Sequence, residues 1–541
     1  MPTRAFLQHV TSPTAPTGPQ QGDEWFNPST NVLSKYVITN GTSPSWQIPV
    51  FANANGTITT VGTFSGIIAS GTAADIPVFL VPKGANGYLS AAIPDNTLVG
   101  GNVRGFNAVD WQMSRTSPTQ VAAFLSVIGG GSQNTSSGYA STTVGGESNT
   151  NSAYNGFIGG GSLNSLGGNA QRGVVVGGVS NTANGHINFI GGGALNSGTS
   201  GVAVTTQSAT MNGTTAVTLS GSNANIRVGQ LIQGTSIQLF PYTYVAAISG
   251  TSLTLSQNAS GSSTSTLSFF TPHGVVVGGG NNQATGAYSF IGGGGDAGTA
   301  ANRNVASGDW SFVGGGQVNI ASGIGSAIVG GGTLGSTTAV NTASGSTSFI
   351  GAGFGNTASG TSSSVLGARN TANGEYSSCL SGRRSTTRNI AGYAVFSGVN
   401  PIADVTGVSQ SSIIILGRQT TDATPTVLCS DSNVASAFNQ VILPDNSAYF
   451  FTGEIVAGVT GGGNTKGWTI EGVIKRGAGV GTTAIVGSPT VTSSYADAGA
   501  SAWTIAVTAD TTNGGLRVTF TGQAGTTIRC VAQIRTTEMT Y

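Results

Sequence analysis

The chain has 541 residues, of which 87 are glycine and only 7% are charged, with a formal net charge of +1. Twice the usual glycine and so little charge leave no electrostatic pull toward nucleic acid or a membrane surface. Three cysteines, Cys379, Cys429 and Cys530, lie far apart, form neither a disulfide framework nor a metal-ligand spacing, and fit assembly in a reducing cytoplasm. No apolar run is long enough to cross a membrane as a helix, and Met1-Pro2-Thr3-Arg4 opens no secretory signal.

The first predicted element comes after the Pro-rich stretch Ser12–Gln20. Glu24-Trp25-Phe26 and Val32–Val37 flank Asn27-Pro28-Ser29-Thr30-Asn31, a hairpin signal, and Trp46 closes a miniature β module over residues 1–50. Residues 51–120 connect this module to a long repetitive region.

From about residue 121 to 390 a short motif recurs, Asn-Thr-Ala-x-Gly-x-x-Ser-Phe-Ile-Gly-Gly-Gly. Clear copies run Asn181–Gly191, Asn282–Gly292 and Asn341–Gly351. A disordered low-complexity chain would not keep Val, Ile and Phe at fixed phase. A repeat this short cannot bury a core alone, so copies must stack as a parallel solenoid. The apolar residue before each glycine step falls at Ile128, Val144, Ile158, Val176 and Ile190. It then falls at Val277, Ile291, Val313, Val329, Ile350, Leu366 and Leu380. On this count the minimal coil has 14 residues, and longer coils add residues at 296–304 and 335–340. Ser-Phe-Ile favours strand, the glycines supply positive-φ turns, and stacked Asn side chains can bond along a ladder. Coils this thin leave β-branched and aromatic side chains pointing outward, which predicts burial against partner chains, most simply in a homotrimer.

Residues 197–272 break the repeat. Ala216–Leu219, Thr243–Ile248 and Ser252–Leu255 read as strands of a β module inserted into one coil. From 391 to 541 the glycine triplets stop. Alternating strands over 411–416, 448–455, 467–474, 502–508, 515–521 and 527–536 predict a C-terminal β-sandwich.

Several of these segments resemble known families. The repeat resembles the β-roll of trimeric autotransporter adhesin heads. The ends resemble bacteriophage tail-fibre proteins. The similar segments are Gly22–Val37 with Trp46, Gly101–Gln112, Leu443–Tyr449, Trp468–Gly472, Ala509–Leu516 and Arg535–Tyr541. The resemblance implies an all-β, elongated, trimeric fibre with a small N-terminal module, a glycine-rich β-roll shaft carrying an inserted module, and a C-terminal β-sandwich. It implies a virion protein of the tail, held by a tail or baseplate protein through the N-terminus. Its partner would be a host cell-surface glycan or lipopolysaccharide, with no nucleic acid and no membrane insertion.

A tailspike that cuts polysaccharide is the competing expectation, and it needs paired carboxylates. The shaft has only Glu147, Asp296, Asp309 and Glu375, mostly on coils that are not adjacent. Glu454 and Glu471 fall on neighbouring strands, with Asp445 and Asp510 in turns and Glu471 within reach of Lys475 or Arg476. The expectation is therefore binding without catalysis, cofactor or metal. Candidate sugar contacts are the aromatics Tyr449, Phe450, Trp468, Tyr495 and Trp503, with Phe240, Tyr242 and Tyr244 in the insert and Arg476 in the last domain. Arg369 and Arg383 are fourteen apart, one minimal coil, with Arg384 and Arg388 after them. The cluster suits either an acidic sugar or phosphate, or a structural junction where each Arg caps carbonyls or pairs with Glu375.

Overall fold

A computed structural model describes residues 9–11, 14, 17, 24–27, 29, 32–37, 45–47 and 87–541, apart from 169, 239–242, 333–338 and 400. Two units are separate, residues 1–81 and 82–541. In the first, Glu24–Asn27 and Val32–Val37 form the predicted antiparallel hairpin, with Asn27 opposite Val32. Ser45–Gln47 adds on one edge, with Trp46 opposite Tyr36, and His9–Thr11 runs parallel on the other.

The second unit is all β. Fifteen short strands, from Leu89–Ser90 to Ala394–Phe396, stack in parallel as one face of a solenoid. At about 4.8 Å per step the stack is roughly 65 Å long. A second face stacks the Thr-Ala strands, such as Thr182–Ala183 and Thr357–Ala358. Alternation turns Ser and Ile of Ser-Phe-Ile inward and leaves Phe half-exposed; it likewise turns Asn and Ala of Asn-Thr-Ala inward. The interior is thus a column of Ile and Val facing a column of Ala, fully buried at Ile158, Ile190, Ile350, Ala183, Ala343 and Ala358.

The pairing register differs by one residue from the glycine-based count on six coils. Ile128 lies beside Thr143, then Ile158, Val175 and Ile190, so the common coil is fifteen residues, and a fourteen-residue coil occurs from Val365 to Cys379. Val144, Val176, Val277, Val329, Leu366 and Leu380 are therefore outward, each between 45% and 52% exposed. The physical reason is a trade between neighbouring positions. Where Phe points out, as at Phe157, the residue two places on is glycine: a Cβ at Gly159 would sit 3.4 Å from the Phe157 ring and 2.4 Å from the Val176 carbonyl. Where the outward residue is small, Val or Leu fills that place.

Turn chemistry also departs from expectation. Glycine does occupy positive-φ sites, and at Gly131 a Cβ would meet the Gly146 carbonyl oxygen at 2.1 Å. Yet Ile187, Val318 and Thr347 also adopt left-handed backbone, at φ 54°, 51° and 53°. Such residues cost roughly 1–3 kcal/mol each, and the stack must hold them there.

What holds it is an asparagine ladder. In each coil one buried Asn amide bridges two turns. Asn164 donates to the Gly160 carbonyl at 3.0 Å and to Gly178 of the next coil at 2.9 Å, while its oxygen accepts from the Asn181 N–H at 3.1 Å. The ladder starts on Gln112, whose oxygen accepts from the Asn134 N–H, and ends where the Ser385 N–H reaches Asn370. Near the first coils, buried Asp110 holds Arg104 and Arg115 at 2.9 Å each.

The insert folds as a six-stranded antiparallel sheet with its own core around Met211, Leu253 and Phe269. Stacking resumes across it as though it were absent: Phe189–Ile190 pairs directly with Val275–Val276. A single amide, Asn188, bonds Thr199 before the insert and Gly274 after it, at 2.8 and 2.9 Å.

At its far end the stacked sheet turns antiparallel without a break. Ala394–Phe396 pairs with Ser409–Thr420, followed by Ile528–Thr540, Ser447–Val459, Thr465–Arg476 and Ala484–Ala496. Thr504–Asp510 and Gly515–Thr521, with Thr426–Val427 and Val441–Ile442, form the second layer of the predicted sandwich. Buried Glu538 ties the last coil to this domain through Arg388, the Tyr393 hydroxyl and Gln410.

Asn164→Ala removes the side-chain partners of the Gly160 carbonyl and the Asn181 N–H, at roughly 1–3 kcal/mol each, and one of the two donors to the Gly178 carbonyl, which the Ser162 N–H still reaches. Asn164→Asp loses both donors and also buries a charge. Thermal melts should rank wild type above Asn164→Ala, with Asn164→Asp lowest; an Asp variant as stable as wild type would overturn the ladder's role.

Candidate functional site

The long strands of the C-terminal domain present a broad outward face. Alternation sends Tyr449, Phe451, Ile455, Ile470 and Ile534 inward and Glu454, Thr469, Glu471 and Arg535 outward. On that face two adjoining grooves, of about 470 and 330 Å3, share Glu454, Thr469, Thr492 and Gln533. The larger has an apolar flank of Ile415, Val456 and Val531 and is edged by Tyr495, which is 81% exposed. The smaller adds Glu471, Thr490 and Arg535.

Glu454 lies opposite Thr469, and Glu471 opposite Thr452. The two residues are therefore diagonal neighbours on one face, with backbone positions roughly 7–8 Å apart by sheet geometry. Gln533 lies beside Glu454 on the other neighbouring strand, and Arg535 beside Thr452. Carboxylates, an amide, a guanidinium and threonine hydroxyls next to an aromatic edge can bond sugar hydroxyls and pack a pyranose face together. Among the described residues no group of three His, Cys, Asp or Glu could hold a metal.

Of the side chains singled out from sequence, Tyr495, Glu454 and Glu471 line these grooves from exposed positions. Trp503 is fully buried and Trp468 lies beneath the groove floor, both edge-on to Phe520 in the core. Tyr449 is buried as well, while Phe450 is 43% exposed. Arg476 pairs with Asp445 at 2.7 Å rather than with Glu471, and it donates to the Leu443 carbonyl, fastening a turn. Tyr242 and Phe240 lie outside the described residues. Tyr244 stacks on His273 at 6.2 Å, and His273 on Tyr288 at 4.6 Å, where the insert leans on the shaft. Arg227 of the insert reaches Asp309 at 3.0 Å across the same junction.

Arg369 and Arg383 do not stack on each other. Ala368 bridges to Arg383 and the Arg384 N–H reaches the Ala368 carbonyl, so the coil neighbour of Arg369 is Arg384. The cause is the fifteen-residue step. All three arginines converge on Asp404, and Glu375 is not their partner.

The strands predicted from sequence omit Ala484–Ala496, which supplies Thr490, Thr492 and Tyr495 to the grooves. Gly487 and Pro489 interrupt its pattern, and such residues are tolerated because the strand pairs on one side only. Gln533 and Arg535 are legible in the sequence only as outward positions of a predicted strand.

No protein-family profile matches this sequence, and no curated protein is similar to it. Three solved structures overlap with it weakly. The tailspike gp49 of Acinetobacter baumannii bacteriophage Fri1, a capsular polysaccharide depolymerase, is 9% identical, with a TM-score of 0.19, over 79% of this chain and 67% of its own. The tailspike of Acinetobacter baumannii phage AM24 is 8% identical, with a TM-score of 0.18, over 85% and 73%. That of Acinetobacter phage vB_ApiP_P1 is 10% identical, with a TM-score of 0.18, over 84% and 80%.

At the insert junction, burial and a smaller push from His273 lower the His186 pKa to about 4, and burial lowers that of His273. Both values lie below the unfolded one, so the unfolded chain binds more protons in between. Stability is full above about pH 6.5 and falls as pH drops toward 4. His186→Gln should flatten that slope in acid melts; an unchanged slope would rule out the histidine.

Proposed function

We propose that this chain is a homotrimeric receptor-binding protein of a bacteriophage tail, carried on the virion, assembled in the host cytoplasm, and adsorbing to a host surface glycan. The N-terminal module would join it to the tail. The observation that carries this reading is the outward apolar column of the shaft. Val144, Val176, Val277, Val329, Leu366 and Leu380 are each about half exposed, and Phe157, Phe189, Phe312 and Phe349 are nearly so. A half-exposed Val or Leu gains about 1 kcal/mol on losing its remaining water. Summed along the shaft of three chains, that favours association through this face. The fibre-like segments at both ends support the same assignment.

If three shafts pack this way, light scattering should give three times the 53.6 kDa chain mass. The pair Val329→Asp and Leu366→Asp should abolish the trimer. A folded wild-type monomer would sink the proposal.

We place receptor contact in the distal grooves because they join exposed Tyr495 to a set of sugar-bonding groups. Paired Tyr495→Ala and Glu454→Gln should cut cell adsorption at least tenfold with trimer mass and melting unchanged. Removal of residues 200–272 should leave adsorption intact; the reverse pattern would move the receptor site to the insert. The diagonal carboxylates Glu454 and Glu471 favour one second reading, cleavage of the bound glycan. Released oligosaccharide that disappears in Glu454→Gln or Glu471→Gln would establish it, and binding without release would exclude it.

A further inference from the structure

Three guanidinium groups surround one carboxylate at the end of the shaft. Arg384 clasps Asp404 with two bonds, of 2.6 and 2.9 Å; Arg383 reaches it at 3.0 Å and Arg369 at 3.5 Å. The Asp404 side chain is 52% exposed, so the mouth of the cluster opens to water. Three positive charges against one negative leave a local surplus of two in a chain with hardly any charge.

A purely structural role accounts poorly for this. An exposed ion pair contributes about 0–1 kcal/mol, and a second and third arginine add mutual repulsion. The segment is already fastened without them: the Gly407 N–H bonds the Arg384 carbonyl at 2.7 Å, and Arg388 bonds the Gly407 carbonyl at 2.8 Å. Asp404's neighbours Ile402 and Val405 are 59% and 55% exposed, so little packing holds the carboxylate in place. Arg383 also keeps a buried Nε–H with no acceptor among the described residues. Beside the cluster runs a mostly apolar groove of about 620 Å3, floored by Phe354 and several glycines and edged by Arg383. Arg369 lies over the Phe354 ring at 5.6 Å.

We infer that Arg369, Arg383 and Arg384 form a binding site for an acidic saccharide whose carboxylate is met by their guanidinium forks, with Asp404 holding the site in the absence of ligand. The inference rests on the reading of the chain as a glycan receptor and adds a second, charge-selective site to it. Guanidinium forks match a planar carboxylate with two parallel bonds. Glycines let the sugar ring approach the backbone, and Phe354 offers an apolar face. Asp404 then acts as an internal competitor, lowering affinity for weak anions.

The test is calorimetric titration of the full-length protein with trigalacturonic acid, its methyl ester and glucose 1-phosphate. The free acid should bind, and the ester at least tenfold more weakly. Arg383→Gln with Arg384→Gln should lose binding at least tenfold. Asp404→Asn should strengthen it severalfold, which a merely structural aspartate would not do. Trimer mass and melting temperature guard against misfolding. Equal binding of acid and ester, no binding at millimolar acid, or unchanged or weaker binding in Asp404→Asn would overturn the site. Binding of the phosphate without the uronate would overturn the carboxylate assignment. If the distal-groove variants abolish cell adsorption while wild type ignores the uronate, this site fails and the receptor reading stands.

Discussion

Register between successive coils is the constraint on which the whole structure depends. A coil of about fifteen residues encloses one Ile or Val, one Ala, one Ser and one Asn, too little apolar volume to define a fold. The asparagine amide supplies what the side-chain core cannot. Its two donors reach carbonyls of the tight turns and its oxygen accepts a backbone N–H of the next coil. Each amide addresses its own coil and the next, as Asn149 does with Gly145 and Gly161. Stability is therefore nearest-neighbour in character, and strained left-handed residues are held in place by the coils above and below.

That same dependence explains which parts could be read from residues alone. The solenoid was legible because Asn-Thr-Ala and Ser-Phe-Ile recur in fixed phase, and the N-terminal hairpin because Asn-Pro-Ser-Thr-Asn stands between two strand-like runs. The inward residue was misplaced by one on six coils because glycine served as the reference. Gly145 and Gly159 look alike in sequence, but Gly159 occupies the place that Val144 fills in the preceding coil. The slip moved Arg369 from Arg384 to Arg383. At the candidate site, Tyr495 could be picked out by type, whereas Gln533, Arg535 and Thr492 could not. Polar residues on an exposed strand face carry no signature until pairing order is known, and the last strand of the chain pairs between two earlier ones.

The outward face of one continuous sheet changes character along its length. In the shaft it is mostly Val, Leu and Phe, relieved by Thr142, Ser364 and Ser378. In the C-terminal domain the same side carries Glu454, Glu471, Gln533 and Arg535 among scattered apolar residues. An apolar surface along the shaft thus gives way to a polar one at the C-terminal end. The composition of successive strands, not a change of fold, makes the difference.

The six-stranded insert enters and leaves the shaft at one point, with Thr199 and Gly274 both on the Asn188 amide. Its sheet contributes no rung to the stack, and the stack keeps its phase across it. The shaft thus has a socket: a position where a whole folded cassette can be exchanged, enlarged or shed in a single genetic event, with two short joints to satisfy. A lineage holding such a socket can vary what projects from the side of its rod far faster than the rod itself can change.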